Sequence, residues 1–174
     1  TSAPEEAEIR VNDHVWSKIL KVLTFGLYSN TTADIKISAY DVTSPVTIEY
    51  YKTNDPIVKT SSLLDSLYDK GKFVAEKEFS VKTDEQFVIY VKVTDYAGNY
   101  RYISSDGFIV DTKAADISLT VDEANANGIY NKDVNAAIAV SETAPYSGIA
   151  KIEYWVTNGG KETQRKVLYS FDYT

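Results

Sequence analysis

The chain has 174 residues, a length that suits one or two domains, and 44% of them are hydrophobic, which is enough for a packed core. A formal net charge of −7 disfavours binding to nucleic acid or to anionic membrane surfaces, because both call for a basic face. Cysteine is absent, which excludes disulfides and thiolate catalysis, and no apolar run reaches the roughly 20 residues of a membrane span.

The first 27 residues are predicted to be a linker followed by a short amphipathic helix. Residues 1–12 are acidic and show no clear apolar periodicity, which is typical of a linker. Asp13 resembles a helix N-cap, and apolar residues follow it at helical spacing from Trp16 to Leu23. We therefore predict a helix over 15–23 that packs on the neighbouring domain, since so short a helix is marginal in water by itself.

Residues 28–112 are predicted to form an antiparallel β-sandwich of short strands. Apolar and polar residues alternate through several stretches, which indicates strands with one buried face. The predicted core positions are Ile37, Ile48, Tyr50, Ile89, Val91 and Val93. A second short helix is expected to begin at Ser61 or Ser62 and to end near Gly71.

A turn at 95–99, with the sequence Asp-Tyr-Ala-Gly-Asn, lies between the two clearest strands of this region. It follows the alternating run 87–94, and alternate large residues continue from Tyr100 to Val110. The glycine and asparagine of the turn tolerate the positive φ that a tight turn needs. The pattern predicts one strand on each side of the turn, the second closing at 111–112.

The alternating pattern restarts in residues 113–174. Strands are predicted around Leu119, Ile138 and Ile152, with a hairpin at 158–160. Two pairs of segments correspond along the chain: 37–41 with 138–142, and 48–51 with 152–155. The offset of roughly 100 residues is the length of one immunoglobulin-type domain. Nothing in 113–174 matches 87–110, so we predict a second repeat that is truncated.

Several of these motifs together resemble the bacterial immunoglobulin-like repeats of secreted and cell-wall-anchored proteins of the Gram-positive type. They are the turn at 95–99, the exit strand 105–112, the segment 127–131 with Asp133 and Val134, and the segment 15–27, which resembles the opening of one such repeat type. The resemblance implies an all-β fold: an immunoglobulin-like antiparallel β-sandwich with short helical insertions, then a second, incomplete immunoglobulin-like repeat. It also implies an extracellular location, in a tandem array whose partners include the neighbouring repeats. Methionine is absent, so we expect the chain to be part of a longer precursor.

Three hypotheses for function follow. The first is a non-enzymatic structural or spacer module of a bacterial surface protein. The second is a glycan- or ligand-binding β-sandwich, such as an adhesin or carbohydrate-binding module whose partner is a host or cell-wall glycan or protein. The third is an accessory domain of a secreted hydrolase. Intrinsic catalysis is not expected, because His14 is the single histidine and no Gly-x-Ser-x-Gly motif accompanies it.

The predicted ligand-facing aromatics are Tyr51 and Trp155, which occupy corresponding positions in the two repeats. Exposed aromatic rings stack on sugars, and they equally cover a sheet face beneath a helix or a neighbouring domain. Glu49 and Glu153 also correspond, and solvated strand positions explain them better than a glycosidase pair.

Calcium is the one cofactor that the sequence suggests, with no other cofactor expected. Acidic residues lie near four strand ends: Asp41, Asp95, Asp106 and Asp111. Carboxylates gathered at loops bind Ca²⁺, but aspartate also favours turns through its own hydrogen bonds. The run 122–128 looks superficially like a calcium loop, yet it lacks the terminal acidic residue and is explained by a turn.

A truncated repeat has a physical consequence. The strands of 113–174 supply one apolar face without the later strands that cover its counterpart in 28–112. We predict that this face is covered by residues 161–171 folding back or by a second chain, and that self-association rises with concentration.

Overall fold

The computed structural model describes residues 2–145 and 147–169, and the chain divides into two compact units that meet between Lys113 and Ala114. Strands account for 46% of the residues and helix for 5%, so the predicted all-β class is confirmed. The first unit comprises β1 (Glu6–Val11), β2 (His14–Trp16), β3 (Leu27–Ser29), β4 (Ala33–Tyr40), β5 (Val46–Thr53), α1 (Ser61–Asp69), β6 (Glu78–Val81), β7 (Glu85–Asp95), β8 (Tyr100–Ser104) and β9 (Phe108–Val110). The second unit comprises β10 (Asp116–Val121), β11 (Ala136–Ser141), β12 (Lys151–Tyr154), β13 (Thr157–Asn158), β14 (Lys161–Glu162) and β15 (Lys166–Tyr169).

Two sheets of the first unit share one hydrophobic core in a sandwich-like arrangement. The first sheet has the order β2-β1-β4-β6, and the second has the order β3-β9-β7-β5, with β8 also paired to β7. Five of the six predicted core residues are buried and confirmed: Ile37, Ile48, Ile89, Val91 and Val93. Tyr50 is half-buried at the edge of this core, where its ring stacks on Phe79 at a centroid distance of 4.2 Å.

The segment after the 95–99 turn forms two strands, so the prediction of a single strand there is wrong. β8 and β9 pair with successive parts of β7, and residues 105–107 separate them. Ser105 accounts for the break: its N–H donates to the Ile89 carbonyl and its Oγ accepts from the Ile89 N–H, both at 2.9 Å. The side chain thus replaces one backbone partner of the ladder, and the strand restarts at Phe108.

The N-terminal residues are a central strand of the first sheet, which corrects the predicted linker. β1 pairs with β4 along its full length, and Ala7, Ile9 and Val11 are buried in the core. The intervening positions hold the exposed charged residues Glu6 and Glu8. A period of two was therefore present, but small and charged residues obscured it.

The predicted helix over 15–23 does not form. Trp16 belongs to β2, and residues 17–26 cross without a helix from the first sheet to the second. Side chains of the second sheet and its loops bind this segment: the Leu20 N–H donates to Ser104 Oγ at 3.0 Å, and Arg101 Nη2 donates to the Ser17 carbonyl at 2.9 Å. These long-range hydrogen bonds take backbone groups that a helix would have used.

The second predicted helix is confirmed as α1. Its N-cap is Thr60 rather than either predicted serine, and the Thr60 hydroxyl accepts from the Leu63 N–H at 3.4 Å. Leu64 is fully buried against Val88 and Tyr90 on the outer face of the second sheet. Together with the crossing segment 17–26, α1 covers this face, so β7 is buried on both sides.

The second unit consists of three two-stranded antiparallel sheets, β10–β11, β12–β15 and β13–β14. The predicted hairpin at 158–160 joins β13 to β14 and is confirmed. None of the described residues from 114 onward is buried. Residues 161–171 were predicted to fold back over the apolar face, and the described part of this segment does not: β15 pairs edge to edge with β12, and Ile117 and Leu119 of β10 stay exposed. Residues 170 and 171 lie outside the described residues.

The β10–β11 pair of the second unit has the same register and end hydrogen bonds as the β1–β4 pair of the first, although Asn12 has a positive φ and its counterpart Asp122 does not. Leu119 lies opposite Ile138 as Ile9 lies opposite Ile37. The residue after each first strand forms a clasp, a pair of hydrogen bonds with the residue that lies opposite it on the paired segment of the same chain. The Asn12 N–H donates to the Asp34 carbonyl at 3.0 Å, and Asn12 Oδ1 accepts from the Asp34 N–H at 2.9 Å. Asp122 and Asn135 make the matching pair of bonds, at 3.1 and 3.0 Å.

Candidate functional surfaces

The most elaborate polar cluster of the first unit surrounds Lys92 on the outer face of the second sheet. Although lysine is a charged residue, Lys92 lies within the buried strand β7 and is only 8% exposed. Its Nζ lies 3.4 Å from the ring centroid of Tyr68, 4.3 Å from that of Tyr100 and 5.9 Å from that of Tyr102. The β8 strand supplies two of these tyrosines and α1 supplies the third. We call these four residues, together with Asp65, the lysine cluster.

Carboxylates complete the lysine cluster. The Tyr102 hydroxyl donates to Asp65 Oδ1 at 2.8 Å. Burial raises the pKa of the Tyr102 phenol, and the bond to Asp65 raises it further. A hydrogen bond with Glu49 raises the pKa of Tyr68 in the same way. Both phenols therefore stay protonated at neutral pH, and the cluster joins α1 to the sheet instead of offering a phenolate nucleophile.

The sequence contained a signal for this cluster that the alternation hid. Lys92 interrupts an apolar strand on the face that also carries Val88 and Tyr90. A lysine in a buried strand requires a partner, because an uncompensated charge is costly to desolvate. The identity of the partners depends on how α1 lies on the sheet, and strand periodicity does not contain that information.

Tyr51 and Trp155 have different environments. Tyr51 is half-buried beneath the α1 layer, with its ring centroid 5.8 Å from that of Phe73. Of the two roles that the sequence allowed for an outward-facing aromatic, sugar stacking or packing beneath a helix, the environment of Tyr51 matches the second. Trp155 is 41% exposed, and the Arg165 guanidinium carbon lies 4.2 Å from its ring centroid. One face of the indole is therefore already paired with a cation, and ligand binding at either ring stays a prediction.

Each of the four aspartates considered for calcium accepts hydrogen bonds from backbone N–H groups of the first unit. Asp95 accepts from the Asn99 N–H at 2.8 Å and from Asn99 Nδ2 at 2.7 Å, which closes the predicted turn. Asp106 accepts from the Thr24 N–H at 2.6 Å. Asp41 accepts from the Thr43 hydroxyl and from the N–H groups of Thr43 and Ser44, and Asp111 accepts from the Lys113 N–H. Across residues 2–145 and 147–169, no group of three or more acidic or histidine side chains is placed to hold a metal.

The remaining candidates are occupied by ordinary contacts. His14 lies on β2, not at a helix start, with its ring centroid 6.1 Å from those of Trp16 and Phe108. Glu153 forms a 2.8 Å ion pair with Lys151, which lowers the pKa of the glutamate. Glu49 and Glu153 belong to different units, each within its own strand.

An open groove of about 580 Å³ lies on the outer face of the first sheet. Its charged lining includes Arg10, Asp13, Asp34, Lys36 and Glu78. Lys36 and Glu78 pair with each other at 3.0 Å, and Ser80 donates to Asp34 at 2.7 Å. Charges of both signs line the groove, so the lining does not favour one class of ligand.

The second unit presents an apolar face of a different kind. Cross-strand partners of an antiparallel pair lie on the same side of the sheet. One side of β10–β11 therefore carries the pairs Ile117–Val140, Leu119–Ile138 and Val121–Ala136. We call this side the open face. Its three β10 residues are all exposed, Leu119 to 65%. The other side carries Asp116–Ser141, Ser118–Ala139 and Thr120–Ala137.

Comparisons with protein-family models, with curated proteins and with solved structures find no match for this chain. Within the described part of the chain, α1 is too short and too polar to cross a membrane, and no other helix there qualifies.

Proposed function

We propose that this chain is a non-enzymatic structural or spacer module of a bacterial cell-surface protein, built from immunoglobulin-like repeats in tandem. The observation that carries the proposal is the duplicated strand pair. β1–β4 and β10–β11 have the same pairing, and each ends in the same two-bond clasp. Duplication of a supersecondary unit along one chain is the signature of a repeat array.

The polar groups of the first unit support a structural role. No side-chain nitrogen or oxygen that is buried among the described residues lacks a hydrogen-bond partner. The carboxylates near the strand ends and the phenol of Tyr102 bond to groups of the same unit. Active sites usually retain polar groups aimed at an absent substrate, whereas these groups hold loops and α1 in place.

The experiment that tests the surface location uses intact cells that naturally produce the protein. Brief trypsin treatment, followed by mass spectrometry of the released peptides, is expected to yield peptides of this chain before lysis. Peptides of abundant cytosolic proteins serve as the control and are expected only after lysis. Recovery of the chain's peptides exclusively after lysis would overturn the proposed location.

The absence of catalysis is tested separately with the purified chain. Glycoside, ester and peptide substrates are expected to turn over at the background rate, because the sequence has no cysteine, a single histidine and no motif that couples a nucleophile to a base. Turnover that disappears when one named residue is replaced would contradict the proposal.

Glycan binding is the second candidate, and the exposure of Trp155 favours it. A glycan array probed with the chain and with Trp155→Ala distinguishes the two functions. Signal that disappears in the variant, but persists when the equally exposed Val134 is replaced by alanine, would assign the binding role.

A further inference from the structure

The open face of β10–β11 is wholly apolar, and none of its six residues is buried: the three β10 residues and Ala136 are exposed, and Ile138 and Val140 are half-buried. All six of its residues are aliphatic: Ile117, Leu119, Val121, Ala136, Ile138 and Val140. An isolated two-stranded sheet is marginally stable in water at best, and it becomes stable when its hydrophobic face packs on another element. The face therefore requires a cover.

The first unit shows what covers such a face. The equivalent side of β1–β4 carries Ala7, Ile9 and Val11, and these residues are at most 3% exposed. Their cover is the inner face of the second sheet, whose aliphatic residues are Ile48, Ile89, Val91 and Val93. The structural equivalence of the two strand pairs thus identifies the cover by its chemistry: another sheet face of isoleucine and valine.

We propose that the open face docks on the open face of a second copy of this chain. The required cover is an aliphatic sheet face. Among the described residues, the open face is itself an exposed sheet face of this chemistry. It contains no charged side chain, so apposing two copies brings no like charges together at its centre. A two-fold axis through the face lets each copy use the same residues, which is the arrangement of most homodimers.

The size of the face limits the strength of this association. A six-residue strand spans roughly 20 Å, and two strands are roughly 10 Å wide, so each copy contributes on the order of 200 Å². Stable interfaces bury about 800 Å² per partner. The dimer is therefore weak and concentration-dependent, and it forms where copies are held close together, as on a surface that displays many of them.

The test is sedimentation equilibrium of the full chain from about 1 μM to about 1 mM. The wild-type chain is expected to shift from monomer towards dimer across this range. Leu119→Lys places a charge on the open face and should weaken association by at least about tenfold. Thr120→Lys, on the next residue of the same strand but on the opposite side, is the matched control and should leave association within about twofold of wild type. A monomer at every concentration, or equal weakening by both variants, would overturn the proposal.

A second measurement covers the case in which a charge at Leu119 unfolds the second unit. The chain has no cysteine, so a single introduced thiol reports one position. Under mild oxidation, Leu119→Cys is expected to form a disulfide-linked dimer several-fold faster than Thr120→Cys, because facing copies bring the former thiols together. Equal rates for the two variants would show that the open face is not the interface.

Discussion

The strand pairs β1–β4 and β10–β11 share register and clasp, yet the apolar side of the first is buried in the core and that of the second is largely exposed. Ile9 and Leu119 occupy corresponding positions and are 0% and 65% exposed. The local sequence determines that each pair forms. The burial of the face depends on a strand such as β7, which is distant in sequence and present in the first unit. The same alternation therefore contributes very different stability in the two units.

Truncation of corresponding residues should show the largest difference. Ile9→Ala creates a cavity in a packed core and is expected to lower the free energy of unfolding by about 2–5 kcal/mol. Leu119→Ala removes exposed atoms from the monomer and should change it by less than about 0.5 kcal/mol. Urea unfolding at low protein concentration, followed by tyrosine and tryptophan fluorescence, measures both. Comparable losses would mean that the open face is covered within the monomer.

The crossing segment 17–26 provides the next test, because it covers the outer face that the second sheet would otherwise expose. A Cβ added at Gly107 would lie 2.7 Å from the Phe25 ring and closer still to the Thr24 carbonyl oxygen. Gly107→Ala is therefore expected to displace the segment and cost about 1–3 kcal/mol. Gly26→Ala is the matched control, since a Cβ there meets nothing within 4 Å. Thermal unfolding that ranks the two variants equally would contradict this packing.

Acid should weaken the first unit through its loop carboxylates. Hydrogen bonds from Thr43, led by its hydroxyl, lower the pKa of Asp41, and hydrogen bonds from Thr112 lower that of Asp84. A carboxyl whose folded pKa lies below the unfolded value of about 3.9 stabilises the fold above that pH, and loses this contribution as pH falls through the folded pKa. Stability measured between about pH 5 and pH 2 should therefore fall.

Two variants separate this contribution from general acid effects. Asp41→Asn removes the titrating group, and Thr43→Val keeps the carboxylate but removes the leading hydrogen bond. Both are expected to flatten the decline relative to wild type. A decline as steep as that of wild type in both variants would assign the acid sensitivity to other groups.

The smallest effect is expected from exchanging the clasps. The double variant Asn12→Asp with Asp34→Asn gives the first unit the clasp residues of the second, and both residue types accept the same backbone bonds. Asn12 has a φ of 49°, a conformation that aspartate also tolerates. We expect a change within about 0.5 kcal/mol, against about 1 kcal/mol or more for Asn12→Ala. A large loss in the double variant would show that the clasps are not equivalent.

Sequence periodicity predicted the elements whose partners are also strands. β4, β5, β7 and α1 carry regular apolar patterns, and their positions are confirmed. β1 was missed because glutamates alternate with its buried residues, Ala7 among them, in a stretch that resembles an acidic linker. The apolar residues of 15–23 suggested a helix, whereas Ser104 and Arg101, more than 80 residues away in sequence, bind residues 17 and 20 of this segment in an irregular, non-helical conformation.

The candidate surfaces were harder to predict, because their chemistry depends on which layer covers which face. Tyr51 and Trp155 correspond in sequence, but α1 exists between β5 and β6 of the first unit and has no counterpart among the described residues of the second. The lysine cluster is likewise assembled by α1. Alternation predicted the apolar side of β10–β11, but the cover expected from residues 161–171 is not seen, because β15 pairs with β12 and leaves Ile117 and Leu119 exposed.

The position of β7 has a consequence for synthesis. Its pairings with β5, β8 and β9 build the sheet that covers β1 and β4. Among the described strands β3 pairs only with β9, so β3 also joins this sheet only after β7 and β9 have been made. A ribosome makes β1 to β6 before it makes β7, so a nascent chain that has been made only as far as residue 84 exposes the apolar side of its first sheet while translation continues. During that interval the apolar side of β1–β4 is exposed, as the open face of β10–β11 is in the second unit. The time for which the nascent chain is prone to aggregate therefore depends on how soon β7 emerges from the ribosome.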